Sequence, residues 1–291
     1  MKPRINPFRK FASAHARLLQ RGKKLPACRP QQFQHQPQAP ADRVPKVLIF
    51  SPHPDDECII GGLALRLLRE AKWNVINVAV TLGSQRERQT ARRRELECAC
   101  AQLGFSLLLH GKRGLERISL ETRKQNRAHW NAAVTIMAKH LAEHRPRVIF
   151  LPHENDGHPA HVGTHFLILD ALKALPADFE CQVVETEFWR PMADANLLVE
   201  LDVEDVGDLV AALACHVGEV RRNAYHARLP AWMIDNVRRG AELVGGQGRA
   251  APDFTFATIY RLRKWAHRRL LPVLKRGKFL SGPENPAELF R

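Results

Sequence analysis

One short segment of the chain concentrates side chains that can bind a metal ion or move a proton. It is SPHPDDE at residues 51–57, and its reactive groups are His53, Asp55, Asp56 and Glu57. Three neighbouring acids repel one another unless a cation or bound protons compensate their charge. The segment therefore favours a metal site.

A second segment of the same character occurs later in the chain. It is PHENDGHPAHVGTH at residues 152–165, and its candidate ligands are His153, Asp156, His158, His161 and His165. A catalytic zinc site uses three protein ligands and keeps one position open, whereas structural zinc sites use four ligands, often cysteines. The six cysteines include no CxxC pair. A lone histidine is more often structural, but two such clusters favour a catalytic metal.

Apolar strands precede both clusters. A folded body begins near Lys46 and alternates short apolar segments (KVLIF, NVINVAVT, FSLLL, RVIFL) with longer helical ones. This alternation is typical of a parallel sheet covered by helices on both faces. KVLIF and RVIFL end directly before the two clusters, so both clusters are expected at the carboxyl edge of the sheet, where open α/β folds bind ligands. The predicted fold class is α/β, a three-layer Rossmann-like domain with a mostly parallel sheet.

The later part of the body is less regular. It is predicted to contain a helix through HFLILDALKAL, strands at CQVVETEFW and NLLVELDV, one long helix through DVGDLVAALACHVGEVRR and a last apolar segment, FTFATIYRL. The glycines at 245, 246 and 248 predict a loop.

The two motifs together resemble those of a known family. HPDDE (residues 53–57) and GHPAH (residues 157–161), each after a strand of a Rossmann-like domain, look like the motifs of the PIG-L/LmbE-like zinc-dependent N-deacetylases. The resemblance covers about residues 46 to 220 and implies an LmbE-like form of the fold. Either motif alone is weak evidence for the resemblance, whereas the two motifs together are specific for this family.

The resemblance also implies a role for five residues. The implied ligands of one catalytic Zn²⁺ are His53, Asp56 and His161, the implied general base is Asp55, and the implied acid and oxyanion partner is His158. These types suit amide hydrolysis, because zinc lowers the pKa of bound water to about 7 and carboxylate and imidazole groups transfer protons. The predicted enzyme is a metal-dependent N-deacetylase, a hydrolase of carbon–nitrogen bonds in linear amides.

The chain departs from the family pattern at several positions. Members commonly read HPDH, where the Asp orients the catalytic histidine, but this chain has Ala160 there, and Asp156 is a candidate replacement. Leu82 and Ser84 stand where many members have Arg and Glu. Three further residues either match family positions or belong to an ordinary helix surface: Arg92, Glu95 and His216.

The leading functional prediction is removal of an N-acetyl or other N-acyl group from an amino sugar, such as a small or lipid-linked N-acetylglucosamine conjugate. One alternative is a zinc amidohydrolase that acts on a non-sugar acylated amine. Another is a catalytically impaired protein that binds a membrane surface or a polyanion. A dinucleotide enzyme is disfavoured because HPDDE, and not GxGxxG, follows the first strand.

The net charge of +15 is concentrated near the two ends of the chain. Of the 45 Lys and Arg residues, 17 lie in residues 1–41 and 261–278, which contain no acidic residue. The rest of the chain has 28 basic and 30 acidic residues. The body therefore lacks the basic face of a nucleic-acid-binding protein. Both end segments mix charge with apolar residues, which suits an anionic membrane, although solvated tails or, in a eukaryote, a transit peptide fit as well.

Three segments follow from this distribution. They are a basic, Pro/Gln-rich N-terminal extension (1–45), the deacetylase-like domain (46–260) and a basic C-terminal tail (261–291). Neither a membrane span nor a signal peptide is visible, and the scattered cysteines are typical of reduced thiols. The predicted location is the cytoplasm, with peripheral attachment to the membrane through the tails, and the oligomeric state stays open.

Overall fold

The computed structural model describes residue 6, residues 8–26 and residues 44–291. These residues form one nine-stranded sheet. Its strands are β1 (Lys46–Ser51), β2 (Asn74–Ala79), β3 (Ser106–Leu109), β4 (Val148–Pro152), β5 (Cys181–Thr186), β6 (Leu197–Leu201), β7 (Phe256–Ala266), β8 (Arg269–Pro272) and β9 (Lys278–Leu280).

The sheet is parallel over its first five strands. The order is β3-β2-β1-β4-β5-β7-β6-β9, and β8 pairs with β7. All neighbours from β3 to β5 run parallel, β7 runs antiparallel to β5 and β6, and β9 runs parallel to β6. The predicted α/β class with a mostly parallel sheet is confirmed.

Helices cover both faces of this sheet. They are α1 (Phe8–Gly22), α2 (Asp56–Ile59), α3 (Gly62–Arg69), α4 (Gln89–Leu103), α5 (Leu120–Gln125), α6 (Arg127–His144), α7 (Pro159–Ala174), α8 (Val203–Ala214), α9 (Val217–Arg222) and α10 (Tyr225–Gly245). Short 3₁₀ helices occur at Arg86–Arg88 and Pro286–Phe290. One apolar core joins α3, α4, α8 and α10 to the sheet, and a second joins α6 and α7 to it. The predicted three layers are therefore present.

The two polar clusters lie at the same edge of the sheet. β1 and β4 are parallel neighbours, and they end at Ser51 and Pro152, directly before the two clusters. Helices α2 and α7 begin within the clusters. The predicted placement at the carboxyl edge is confirmed, because adjacent parallel strands deliver their C-terminal ends to one side.

Two helical predictions differ from the structure. The long helix predicted from about residue 205 is interrupted after α8, and α9 begins only at Val217, because His216 is turned into the protein towards Glu57. Helix α10 is not predicted by the sequence pattern, since Pro230 lies inside it and proline normally disrupts a helix.

The C-terminal segment belongs to the sheet and is not a separate tail. Strand β7 crosses the predicted boundary between residues 260 and 261 and pairs with β5. Trp265 is 2% exposed, and Arg261 forms ion pairs with Glu185 and Glu154. Trp265 therefore belongs to the core and Arg261 neutralises acids of neighbouring elements, although the sequence places both in a membrane-binding tail.

The N-terminal segment contains the amphipathic helix α1, which contacts α10. The Pro/Gln-rich stretch predicted as a linker lies largely outside the described residues. Among the helices of the described ranges, none combines the length and the apolarity needed to cross a membrane.

Candidate active site and metal centre

The three predicted metal ligands meet at the carboxyl edge of the sheet. His53 Nδ1 lies 3.2 Å from His161 Nε2. Asp56 Oδ2 lies 3.5 Å from His161 Nε2 and 3.9 Å from His53 Nδ1. Residues more than a hundred positions apart in the sequence thus direct two nitrogens and one oxygen to a common point.

This donor set fits Zn²⁺. Two imidazole nitrogens and a carboxylate oxygen are typical ligands of a catalytic zinc. Asp56 Oδ1 is buried and has no hydrogen-bond partner among the described residues. Burial and the neighbouring His161 hold the pKa of His53 well below its usual value, so its ring is neutral and keeps a lone pair for a cation. Burial raises the pKa of Asp56 to about 6, which a bound cation would lower again.

The loop between β1 and α2 is fixed by its own hydrogen bonds. The backbone N–H of His53 donates to Asp56 Oδ2 at 2.8 Å, and that of Asp55 donates to Glu57 Oε2 at 3.0 Å. Asp55 has a φ of 113°, in the left-handed region that favours glycine, so these contacts hold a strained backbone.

A buried ion pair anchors this loop to α9. His216 Nε2 lies 2.7 Å from Glu57 Oε1, and both side chains are fully buried. Burial alone would raise the pKa of Glu57, but attraction to His216 outweighs it and the pKa is lowered. Glu57 therefore supports the loop and lies outside the ligand cluster.

Asp156 orients His161 and not His158. Its Oδ1 lies 3.4 Å from His161 Nδ1, and its carboxylate accepts the backbone N–H groups of Phe188 and Trp189 at 3.0 and 3.2 Å. A carboxylate on the far nitrogen of a metal-binding histidine fixes the ring and its tautomer. The idea that Asp156 replaces the carboxylate missing at Ala160 is therefore not supported by its contacts.

His158 caps the N-terminus of α7. Its Nδ1 accepts the backbone N–H of Ala160 at 3.2 Å, which leaves the ring proton on Nε2. Its ring centroid lies 4.8 Å from that of His53, and the indole of Trp189 stacks against it at 5.4 Å. Burial, followed by repulsion from His161, lowers the pKa of His158 and favours the neutral ring.

Asp55 lies beside this cluster at the base of an open cleft. Its carboxyl group is buried, and burial together with repulsion from Asp56 raises its pKa well above the usual value, although His216 opposes the shift. A carboxylate with a raised pKa accepts protons more readily than an exposed one. The chemistry that the geometry allows is therefore proton transfer next to a cluster of side chains that could hold a metal ion.

The cleft has a volume of about 680 Å³ and reaches from this cluster to solvent. His53, Asp55 and His158 line its base. Two aromatic residues from later in the sequence also line it, Trp189 and Tyr225, and the side chain of Trp189 is about half exposed. Neither aromatic residue lies in a recognisable motif. Only the loop after β5 and the start of α10 bring them to the site, so no local sequence signal predicts them.

Several candidates from the sequence lie outside the ligand cluster. His153 Nε2 contacts the carbonyl of Arg190 at 2.9 Å, and His165 Nδ1 contacts that of Pro152 at 2.9 Å. Leu82 is fully buried, whereas Ser84 lines the cleft.

The residues that matched further family positions are not ordinary surface residues. His216 is buried, as described above. Glu95 accepts the backbone N–H of Gly218 at 3.0 Å, and Arg92 Nη2 donates to the carbonyl of Pro54 at 3.2 Å. All three therefore connect elements around the site.

A family comparison agrees with this geometry. Residues 48–172 match the family model described as PIG-L, GlcNAc-PI de-N-acetylase. Over this segment the chain is similar to the PIG-L family. The matched segment runs from β1 through α7 and includes both motifs. No curated protein matches the chain.

Solved structures share the fold at low sequence identity. The conserved protein TT1542 from Thermus thermophilus is 19% identical with a TM-score of 0.55, covering 78% of this chain and 95% of that one. N,N′-diacetylchitobiose deacetylase from Pyrococcus horikoshii is 16% identical with a TM-score of 0.51, and the match covers 90% of this chain and 94% of that one. GalB, the 4-carboxy-2-hydroxymuconate hydratase from Pseudomonas putida, is 16% identical with a TM-score of 0.54, and the match covers 81% of this chain and 100% of that one. Because a hydratase shares it, the fold alone does not decide the reaction.

Proposed function

We propose that this protein hydrolyses the N-acetyl or N-acyl group of an amino-sugar conjugate. In this proposal His53, Asp56 and His161 hold one catalytic Zn²⁺, Asp55 is the general base and His158 is the oxyanion partner. The observation that carries it is the convergence of the three ligand atoms beside the buried Asp55, at the base of an open cleft.

The side chains divide the work of amide hydrolysis between them. When bound, Zn²⁺ supplies a Lewis acid and lowers the pKa of water. Asp55 accepts the proton of the attacking water and passes it to the leaving nitrogen, so that the amine leaves and a carboxylate is formed. His158 donates its Nε2–H to the oxygen that develops negative charge, because its Nδ1 is occupied by the N–H of Ala160. In this arrangement His158 acts as the oxyanion partner, and the predicted acid role passes to Asp55.

Two features of the cleft support a sugar conjugate as the substrate. The exposed indole of Trp189 offers a flat apolar surface for the C–H face of a pyranose, next to His158. Hydroxyl and amide groups of Ser84, Gln85 and Ser119 also line the cleft and can bind sugar hydroxyls. One structural neighbour is named as a deacetylase of diacetylchitobiose, an acetylated amino sugar.

The test combines metal content with acetate release from a panel of N-acetylglucosamine conjugates and non-sugar N-acetyl amines. Wild type is compared with His161→Ala and Asp55→Asn, and His144→Ala, at the end of α6, is the matched control. We expect one bound zinc in wild type and in Asp55→Asn, little zinc in His161→Ala, and turnover only in wild type and the control.

Other outcomes separate the alternatives. Turnover of the non-sugar amines alone would replace the sugar by another acylated amine. Bound zinc without any acetate release would favour a protein impaired at Ala160, and a wild-type protein that binds no metal would contradict the catalytic proposal.

We also propose that α1 attaches the protein to an anionic membrane surface. Phe8, Phe11 and Leu18 are exposed on one face of the helix, and its described basic residues occupy the opposite face without any acid. This arrangement is typical of helices that lie in the interface of a bilayer. The final residue of the helix, Gly22, packs on Ala227, two positions beyond the cleft residue Tyr225. A lipid-linked sugar would therefore be presented close to the cleft.

A further inference from the structure

The cleft of the proposed active site carries more positive than negative charge. Five arginines line it, together with the carboxylates of Asp55, Glu116 and Glu219. The arginines are Arg86, Arg88, Arg92, Arg117 and Arg222. Outside the two basic end segments, the chain has slightly fewer basic than acidic residues. The excess in the cleft is therefore a local feature and does not follow from the average composition.

Three of these arginines share one buried carboxylate. Glu219, whose side chain is 3% exposed, lies 3.1 Å from Arg88 Nη2 and 3.6 Å from Arg92 Nη2, and it also pairs with Arg222. A single carboxylate compensates one guanidinium group, so the arginines that pair with Glu219 outnumber it by three to one. Clefts lined by one sign of charge concentrate ligands of the opposite sign.

The backbone leaves room for two of these guanidinium groups. A Cβ atom at Gly218 would collide with Arg88, and one at Gly83, where φ is +85°, would collide with Arg92. Arg92 is largely buried, and its Nε has no hydrogen-bond partner among the described residues. The two side chains are thus held in place at the cleft, and one N–H group of Arg92 is unused.

Arg117 adds a further charge at the wall of the cleft. Its φ of 54° places it in the left-handed region, in the segment that precedes α5. Within the described ranges it has no ion-pair partner, whereas Arg86 pairs with Glu116 at 3.0 Å. Arg117 is therefore the arginine most available to a ligand, and Arg222, whose side chain is largely exposed, uses only Nη2 in its hydrogen bond to Glu219.

We propose that Arg88, Arg92, Arg117 and Arg222 form a subsite for an anionic group, a phosphate or a carboxylate, carried by the substrate. Guanidinium groups bind both anions through paired, charge-assisted hydrogen bonds. The subsite rests on the proposed function, because the same cleft contains Asp55 and His158, where the amide would react. The substrate class is then an N-acylated amino sugar whose remaining part is negatively charged.

The test compares substrates that differ in charge. N-acetylglucosamine 1-phosphate and N-acetylmuramic acid carry a phosphate and a carboxylate, and methyl N-acetylglucosaminide is the neutral counterpart. For wild type we expect kcat/KM to be about tenfold or more higher for at least one anionic substrate, which also identifies the preferred anion. Equal kcat/KM for all three substrates would overturn the subsite.

The arginine variants locate the effect. We expect Arg117→Gln and Arg222→Gln each to raise KM for the preferred anionic substrate about tenfold, with kcat and the neutral substrate little changed. The exposed Arg238, which pairs with Asp235 away from the cleft, provides the matched control Arg238→Gln. Equal losses for charged and neutral substrates would show that the arginines serve only the structure and would overturn the proposal.

A binding measurement separates the subsite from the deacetylase proposal. Calorimetric titration of each purified variant with N-acetylglucosamine 1-phosphate requires no turnover. Binding that is weakened in the Arg117→Gln/Arg222→Gln double variant but retained in His161→Ala supports the subsite even if no acetate is released. Binding that depends on His161 and not on the arginines would assign the anion to the metal centre and overturn the subsite.

Discussion

At the scale of single residues, the second contacts of the histidines distinguish their roles. His161 has a carboxylate behind Nδ1, which leaves Nε2 directed at His53, whereas His158 has only a backbone N–H on Nδ1. A carboxylate behind a histidine raises its strength as a metal ligand, and a backbone donor does not. The two histidines of GHPAH are therefore suited to different tasks.

Replacing Asp156 by Asn should weaken zinc binding. We expect the zinc affinity of Asp156→Asn to fall by about 10- to 100-fold, because the carboxylate that supports His161 is lost. Chelator competition measures the affinity, and Asp170→Asn, which removes a carboxylate between Arg123 and Trp130, is the control. Unchanged affinity in Asp156→Asn would contradict this role.

Removing the His158 side chain should lower turnover without removing the metal. The ligand nitrogens of His53, His158 and His161 lie within 4.8 Å of one another, so His158 could be either a further ligand or an oxyanion partner. We expect His158→Ala to lower kcat by about 10²- to 10³-fold, as loss of an oxyanion donor does, while the zinc content stays at that of wild type. A parallel loss of zinc would instead make His158 a ligand.

At the scale of elements, α1 and β7 show how similar sequences reach different environments. Each of the two elements mixes basic and apolar residues and contains no acidic residue. The apolar residues of β7 are covered because the strand pairs with β5 and β6, whereas α1 has no buried residue. Of these two elements, α1 therefore remains the candidate for membrane binding.

Polar substitutions on the apolar face of α1 should reduce membrane binding. We expect Phe11→Ser/Leu18→Ser to reduce co-sedimentation with anionic phosphatidylserine vesicles several-fold, because less apolar surface enters the bilayer. Binding of wild type should also fall as salt is raised, since the basic face is screened. Ile234→Ser, at an exposed position of α10, is the control. Equal sedimentation of both variants and wild type would rule out α1 as the anchor.

At the scale of the whole molecule, one ion-pair network joins the parallel and antiparallel parts of the sheet. Arg261 of β7 pairs with Glu185 of β5, with Glu154 just after β4 and with Asp194 in the loop before β6. Arg263 adds a second contact to Glu185. Glu154 and Glu185, the two acids near His165, are therefore both paired with arginine. The cluster that they form with His165 is a structural ion-pair network and not a second metal site.

Acid should weaken this network. Burial would raise the pKa of Glu154, but hydrogen bonds from its own backbone N–H and from Arg261 lower it from 4.5 to about 2. Its contribution to the free energy of unfolding is therefore present above pH 4.5 and is lost as the pH falls towards 2. We expect Glu154→Gln to be less stable than wild type at about pH 6, with the difference shrinking as the pH falls to about 3.

Urea unfolding at each pH measures this difference. Glu288→Gln, whose side chain is more than half exposed and pairs only with the last residue of the chain, is the control. A gap between wild type and Glu154→Gln that does not change with pH would contradict the assignment.

The parallel half of the sheet and the convergence of the two polar motifs follow from local patterns in the sequence. Apolar β-branched segments specify buried strands locally, and the polar motifs follow directly after β1 and β4, so parallel pairing alone brings His53, Asp56 and His161 to one edge.

The residues that support the motifs and line the cleft around them are set instead by the tertiary packing. Asp156 contacts His161 because the loop between β4 and α7 folds back onto the first turn of α7. Arg222 and Trp189 reach the cleft from elements that are distant in the sequence. Residues 261–266 looked like a solvated tail because the acids that neutralise Arg261 lie on other strands. Long-range pairing of this kind leaves no local pattern in the sequence, since the partner of each charge is set by the packing of the sheet.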